Sequence, residues 1–183
     1  MRSIIFFIAF IFCLHSPAHA ERADRDQPTH IEASQMVADD VKQVSVFTGD
    51  VVMTRGSMRA MAEKIVLVQD PEGYLYTTMY AAPGQLASMR EKRDGGPDLW
   101  IEAYGERIEY NNRNEVIRLF TRANLKRLEG RLVTDDVKGE YISYDSKSEF
   151  YRVHNTAQGQ SLPGEGRVRA IIQPRERPQR NVE

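Results

Sequence analysis

The chain has 183 residues, 41% of them hydrophobic, enough for one domain with a real core. Its 25 Lys and Arg nearly balance its 26 Asp and Glu, and a formal charge of −1 gives no sign of the basic face that nucleic acid requires. The single cysteine, Cys13, lies in the first twenty residues, so a chain shorn of them has neither a disulfide nor a thiol nucleophile.

Those first residues read as an export signal. Arg2 supplies a positive start, residues 4–14 are a compact apolar run, and Ala18-His19-Ala20 has the small-x-small pattern of a signal-peptidase site. The run is too short for a permanent membrane span, and Phe12 stands before Cys13 where a lipoprotein site needs a small residue. We expect cleavage after Ala20, a polar lead over 21–26, a folded domain over 26–174 and a disordered polar tail over 175–183.

Along the domain, short apolar runs alternate with turn residues. Residues 29–32 read as a first strand and 44–48 as a second, ending at a Gly49-Asp50 turn. A strand over 51–54 precedes the Arg55-Gly56-Ser57 turn, and 58–68 is the longest apolar stretch, with a composition over 60–68 that would also suit a helix. Asp70-Pro71-Glu72-Gly73 is a strong turn. Strands follow at 74–80 and 85–89, separated by Pro83-Gly84, and then a charged loop over 91–98. The second half gives strands at 100–104, 107–110, 115–121, 124–128, 137–144, 149–154 and 168–173. Many short strands at regular spacing predict an all-β sandwich, barrel or open roll.

One pattern recurs three times: a small residue, an acid, any residue, isoleucine, any residue, then leucine or tyrosine. It reads Ala62-Glu63-Lys64-Ile65-Val66-Leu67, Gly105-Glu106-Arg107-Ile108-Glu109-Tyr110 and Gly139-Glu140-Tyr141-Ile142-Ser143-Tyr144. In a regular strand the acid, the isoleucine and the last apolar residue would share a face. A second echo links Val44-Ser45-Val46-Phe47-Thr48 to Ile117-Arg118-Leu119-Phe120-Thr121, 73 positions later. Repetition of this kind predicts a stack of similar β-units burying a common seam.

Little in the chain looks catalytic. His30 and His154 lack ligand-spaced companions and read as strand histidines rather than a metal pair. Glu63, Glu106 and Glu140 could be general acids, but recurrence favours a structural task such as accepting backbone N–H groups at strand ends. The basic clusters Arg90, Lys92, Arg93 and Arg122, Lys126, Arg127, Arg131 read as a solvated face, or alternatively as contacts to lipid phosphates. Tyr74, Tyr76 and Tyr80 share one parity, which fits core packing and a ligand pocket equally.

Asp26-Gln27-Pro28-Thr29-His30-Ile31-Glu32-Ala33, then Val46-Phe47-Thr48-Gly49-Asp50-Val51, then Ala62-Glu63-Lys64-Ile65, in that order behind an export signal, resemble the OstA-like family of periplasmic lipopolysaccharide-transport proteins, the LptA family. The resemblance spans 26–174. It implies an all-β fold, an open and slightly twisted antiparallel β-jellyroll built from repeated strand units. It also implies a periplasmic carrier, not an enzyme, that shelters lipopolysaccharide acyl chains in a hydrophobic groove. By matching positions, the groove would include Thr29, Ile31, Leu86, Ile108 and Tyr110. The family's head-to-tail self-association would use the edge strands Thr29, His30, Ile31, Glu32 and Val168, Arg169, Ala170, Ile171, Ile172. The same edges would meet an LptC-like inner-membrane protein and an LptD-like outer-membrane protein, with no cofactor and no nucleic acid. The resemblance departs at Arg122, where the family pattern places glycine. Other readings are a structural adaptor without its own lipid, a small outer-membrane barrel and a cell-wall enzyme. The barrel is disfavoured by charges on both strand parities, and the enzyme by the lack of a distinctive carboxylate pair.

Overall fold

Four long strands organise the molecule. The structure, a computed structural model, describes residue 24 and residues 27–96 and 98–174; the leader read over 1–20 and the tail read over 175–183 lie outside them. Among the described residues there are twelve strands: β1 (His30–Glu32), β2 (Gln35–Asp39), β3 (Val44–Arg55), β4 (Met58–Gln69), β5 (Leu75–Tyr80), β6 (Ala87–Lys92), β7 (Leu99–Gly105), β8 (Arg107–Asn111), β9 (Val116–Glu129), β10 (Leu132–Asp145), β11 (Phe150–His154) and β12 (Arg169–Ile172). All pair antiparallel in one sheet.

Each long strand serves two short ones. β3 pairs with β2 through its first half and with β1 through its second. β4 pairs with β6 early and β5 late, β9 with β8 early and β7 late, and β10 with β12 early and β11 late. The pairings therefore define two eight-stranded layers, β2-β3-β4-β5-β8-β9-β10-β11 and β1-β3-β4-β6-β7-β9-β10-β12, joined where the long strands cross from one to the other. This is the jellyroll anticipated from the resemblance.

The junction between the layers is a crease, and the repeated acid motif marks it. In β4 the inward residues of one layer are Met58 and Ala60, with Ala62 packed against the core; those of the other are Ile65 and Leu67. Glu63 and Lys64 between them both face solvent. The same change of phase occurs from Gly105 to Ile108 and from Gly139 to Ile142. The isoleucine and the last apolar residue share the inward face, as expected; the acid does not. A strand turning the corner uses two consecutive outward residues, and that breaks the simple alternation. The small residue is explained by crowding: a Cβ on Gly139 would lie 2.6 Å from Val153 Cγ1 and 2.8 Å from the His154 carbonyl oxygen.

β3 and β9 turn the corner by bulges. The register of β3 on β4 slips between Thr48 and Val51, where Gly49 and Asp50 have φ of 84° and 46°. In β9 the bulge lies at Thr121 and Arg122, with φ of 58° and 53°, and β10 slips opposite it between Gly139 and Tyr141. Gly49-Asp50 is thus a bend within one strand rather than the expected turn, and 115–121 and 124–128 join into one strand for the same reason. β2 has no counterpart in the sequence reading. Its five residues are nearly all exposed, so no apolar alternation announces it. Residues 60–68 are strand and not helix, being paired on both sides. The Asp70 turn forms as read: its Oδ1 accepts N–H bonds from Glu72 at 3.0 Å and Tyr74 at 2.9 Å.

Candidate functional site: the space between the layers

The inner faces of both layers are mainly apolar, with Thr77, Glu91 and Asp135 as buried polar residues on the same parity. Ile65, Met79, Ile108, Ile117, Leu119 and Ile142 have no exposed surface. Four methionines, Met53, Met58, Met79 and Met89, are buried in the same cluster. Methionine is unbranched and polarisable, so such a lining can repack around a guest at low cost.

Of the residues expected in a groove, the structure brings three together. Ile108 and Tyr110 point inward from β8. Ile31 lies opposite Met53 on β1 and packs against the same core. Thr29 is half-buried one residue before β1 begins. Leu86 stands apart, 38% exposed, in the link between β5 and β6. That link rounds the crease on its outer side. Leu86 there lines one cleft of about 400 Å³ with Arg122, Lys138 and Arg169, and another with Met61 and Glu63. A break at Pro83-Gly84 signalled the turn, but not the side on which the chain would pass.

The layers diverge from the crease toward two lips, and polar contacts join these. Arg55, buried at the end of β3, donates from Nη2 to the Tyr110 hydroxyl at 3.2 Å, and its guanidinium carbon lies 5.4 Å from the ring centroid. Arg93, beyond β6, donates from Nη2 to Glu149 Oε1 at 2.7 Å. Arg127 on β9 approaches the Tyr151 ring at 5.6 Å and bonds Asp135 at 3.0 Å. Burial pulls the Arg127 pKa down, but the hydrogen bond and charge of Asp135 outweigh it and hold the guanidinium protonated. Sequence reasoning found Arg93 and Arg127 only as members of basic clusters. The acid of Arg93 lies 56 positions away, a pairing visible only once the layers are stacked, while that of Arg127 lies 8 positions away, directly opposite it in the β9–β10 pair.

The other candidates for chemistry are dispersed. His30 is on β1 at one end of the sheet, and His154 is on β11 at the other, 3.1 Å from Ser161 Oγ. No group of three or more His, Cys, Asp or Glu side chains is placed to hold a metal among the described residues. The motif acids line the crease. Glu106 Oε1 accepts from Arg122 Nε at 2.9 Å, Glu140 approaches the Arg122 backbone N–H at 3.5 Å, and Glu63 is exposed. Arg122 also donates to the Gln85 carbonyl at 2.6 Å, so the arginine that replaces the expected glycine ties three elements together at the bulge. Arg90 stacks on Trp100 at 4.3 Å and pairs with Glu102. Tyr74 and Tyr80 lie on the outer side, under Arg113 and Lys64, while Thr77 and Met79 take the inward positions.

β1 and β12 close the ends of one layer, β2 and β11 those of the other, and each has a single neighbour. Val168 precedes β12 rather than joining it; Arg169, Ala170, Ile171 and Ile172 form the strand. Large exposed apolar side chains gather at these ends: Met36 and Val37 on β2, Phe150 on β11, Ile171 and Ile172 on β12. No helix among the described residues is long and apolar enough to cross a membrane.

Comparison with known proteins agrees with this geometry. Residues 30–150 match the family described as LptA/(LptD N-terminal domain) LPS transport protein. The chain is 26% identical over 170 residues to the lipopolysaccharide export system protein LptA of Haemophilus influenzae, covering 93% of this chain and 91% of that one. It is 29% identical over 164 residues to LptH of Pseudomonas aeruginosa, covering 90% and 89%. It is 30% identical over 128 residues to LptA of Escherichia coli K12, covering 70% and 65%. The crystal structure of Pseudomonas aeruginosa LptH, described as the LptA-homologous periplasmic component of the lipopolysaccharide transport device, superposes with a TM-score of 0.70 at 26% identity, over 82% of this chain and 99% of that one. A matching family over most of the domain, on a fold of the same kind, places the chain in the LptA/LptD N-terminal domain family of lipopolysaccharide transport proteins.

Proposed function

We propose that this protein carries lipopolysaccharide across the periplasm, holding the acyl chains between its two layers while the sugars stay in water. The observation that carries this reading is the methionine-rich interior reached through a polar seam. Each CH₂ withdrawn from water contributes about 0.8 kcal/mol, so a multi-chain lipid needs continuous shelter. The interior is filled by the protein's own side chains, so cargo enters by parting the lips at Arg55–Tyr110 and Arg93–Glu149 and repacking the methionines. Such carriage needs no nucleophile.

The reading extends to assembly. The end strands β1 and β12 offer unpaired backbone groups, which are templates for strand addition. Head-to-tail stacking through them, with an LptC-like protein at the inner membrane and an LptD-like protein at the outer, would make one continuous groove. The leader ending at Ala20 delivers the chain to the periplasm.

Photo-crosslinking tests the cargo. Benzoylphenylalanine in place of Ile31 or Tyr110 is expected to give a light-dependent adduct with lipopolysaccharide, suppressed by excess unlabelled lipid. The same probe at Leu86, outside the crease, should give none. Absence of adducts at both inward positions in folded protein would leave the chain a structural adaptor without cargo.

A further inference from the structure

The two ends of the sheet carry opposite charge in corresponding places. At one end β12 pairs with β10 so that Arg169 lies directly opposite Lys138. Like charges facing one another across an antiparallel pair are destabilising. Lys138 leans toward Asp136 of its own strand at 3.9 Å. Arg169 makes no ion pair among the described residues, and neither does Arg167 just before it. At the other end Glu32 is exposed on β1 and likewise makes no ion pair among the described residues.

These charges occupy equivalent positions relative to the crease. β1 runs toward it: His30, Ile31 and Glu32 lie opposite Thr54, Met53 and Val52, with the β3 bulge beyond. β12 runs away from it, from Arg169 opposite Lys138 to Ile172 opposite Asp135. Each layer has an even number of strands with antiparallel neighbours throughout, so its first and last strands run in opposite directions. A copy added in the same orientation therefore meets an antiparallel neighbour. The faces agree as well. Ile31 is on the inward face with Met53, and Ala170 is on the inward face with Val137. Glu32 and Arg169 are both outward.

From this we infer that a second copy of this chain docks its β1 antiparallel on β12, with Glu32 opposite Arg169, Ile31 opposite Ala170, His30 opposite Ile171 and Thr29 opposite Ile172. The inference rests on the head-to-tail reading above and specifies its register. A slip of one residue turns Ile31 outward and Glu32 into the interior. A slip of two breaks the line of the crease from copy to copy and leaves Arg169 facing Lys138 alone. Only the stated register continues the apolar interior and neutralises the uncompensated arginine in one step.

A pair of charge reversals tests it. The full chain, expressed with its leader and purified from the periplasm, is compared with Glu32→Arg and Arg169→Glu by sedimentation velocity over a concentration series at low ionic strength. Circular dichroism of both variants serves as the control for folding. Either reversal alone sets like charges against each other, and self-association should weaken about tenfold, the scale of exchanging an attractive surface pair for a repulsive one. An equimolar mixture of the two variants should regain the native strength, because every junction in an alternating chain is again complementary. If the native chain associates but neither reversal weakens it, or the mixture stays as weak as its components, the register is wrong while head-to-tail assembly stands. If the native chain remains monomeric at every concentration, self-association itself fails, and the register with it.

Discussion

Arg55 and Tyr110 meet across the opening between the two layers, guanidinium to hydroxyl at 3.2 Å, although 55 positions separate them in the chain. One ends β3 and the other lies near the end of β8, and both are buried. A buried cation bonded to a tyrosine hydroxyl is a poor partner for hydrocarbon. Under the proposed carriage this contact would have to open before acyl chains could pass between the layers.

Tyr110→Phe keeps the ring and removes the hydroxyl. Stability in urea should fall by about 1 kcal/mol, the usual net value of one hydrogen bond. Uptake of a fluorescent lipopolysaccharide should become faster, since one cross-lip bond no longer has to break. Stopped-flow fluorescence would read the rate.

The second cross-lip contact can be locked. Removal of the leader leaves no native cysteine, so Arg93→Cys with Glu149→Cys introduces a unique pair on opposite lips. A short bismaleimide joining them should block lipid uptake, and the uncrosslinked double variant should bind lipid. Equal binding before and after crosslinking would move the entry route away from this seam.

Tyr104 provides a pH signature. Burial, followed by its hydrogen bond to Glu102 at 2.9 Å, raises its pKa from 10 to about 12. The folded state thus favours the neutral phenol. Its contribution to stability is complete below pH 10 and is lost as pH rises through about 12. Tyr104→Phe should flatten that part of the stability profile, and ultraviolet titration of native protein should show one tyrosine ionising late.

The bulge at Arg122 separates backbone strain from side-chain contact. At φ 53° a residue with a Cβ is strained, and Arg122 also binds Glu106 and the Gln85 carbonyl. Arg122→Ala loses the contacts and keeps the strain; Arg122→Gly loses the contacts and relieves it. The glycine variant should therefore be the more stable of the two by about 1 kcal/mol in thermal or urea unfolding.

Gly139→Ala places a methyl where 2.6 Å separates it from Val153 Cγ1 and 2.8 Å from a backbone oxygen. The carbonyl cannot rotate aside as a side chain could. A loss of about 1–3 kcal/mol is expected, as for other insertions into a packed site, with the midpoint of calorimetric unfolding as the readout.

The alternation of apolar residues announced β4, β5, β7 and β8, because each buries one face and exposes the other. It could not announce β2, whose Met36 and Val37 are both more than half exposed. Nor could it show that Gly49-Asp50 and Thr121-Arg122 bend strands without ending them, since positive φ serves turns and bulges alike. The threefold acid motif was visible, but its meaning was not: only pairing on both sides shows that Glu63, Glu106 and Glu140 mark one line. Of the positions named by the resemblance, Ile31, Ile108 and Tyr110 pack against the buried cluster. Leu86, named by the same resemblance, lies in the link between β5 and β6 and is partly exposed, a placement that the matched position alone did not reveal. The lip contacts of Arg55 and Arg93 depend on the stacking of the layers, a relation between residues far apart in sequence.

The crease also governs which changes of length the chain can absorb. Removing one residue between Ala62 and Ile65, or between Gly139 and Ile142, would turn every later side chain of that strand over, sending Leu67 or Tyr144 into water and charged neighbours into the interior. Residues added to the loop over 93–98 or to the link over 155–168 lie outside the strands and change no side chain's face. The protein can grow at its rims and between its end strands, but along the crease its count is fixed.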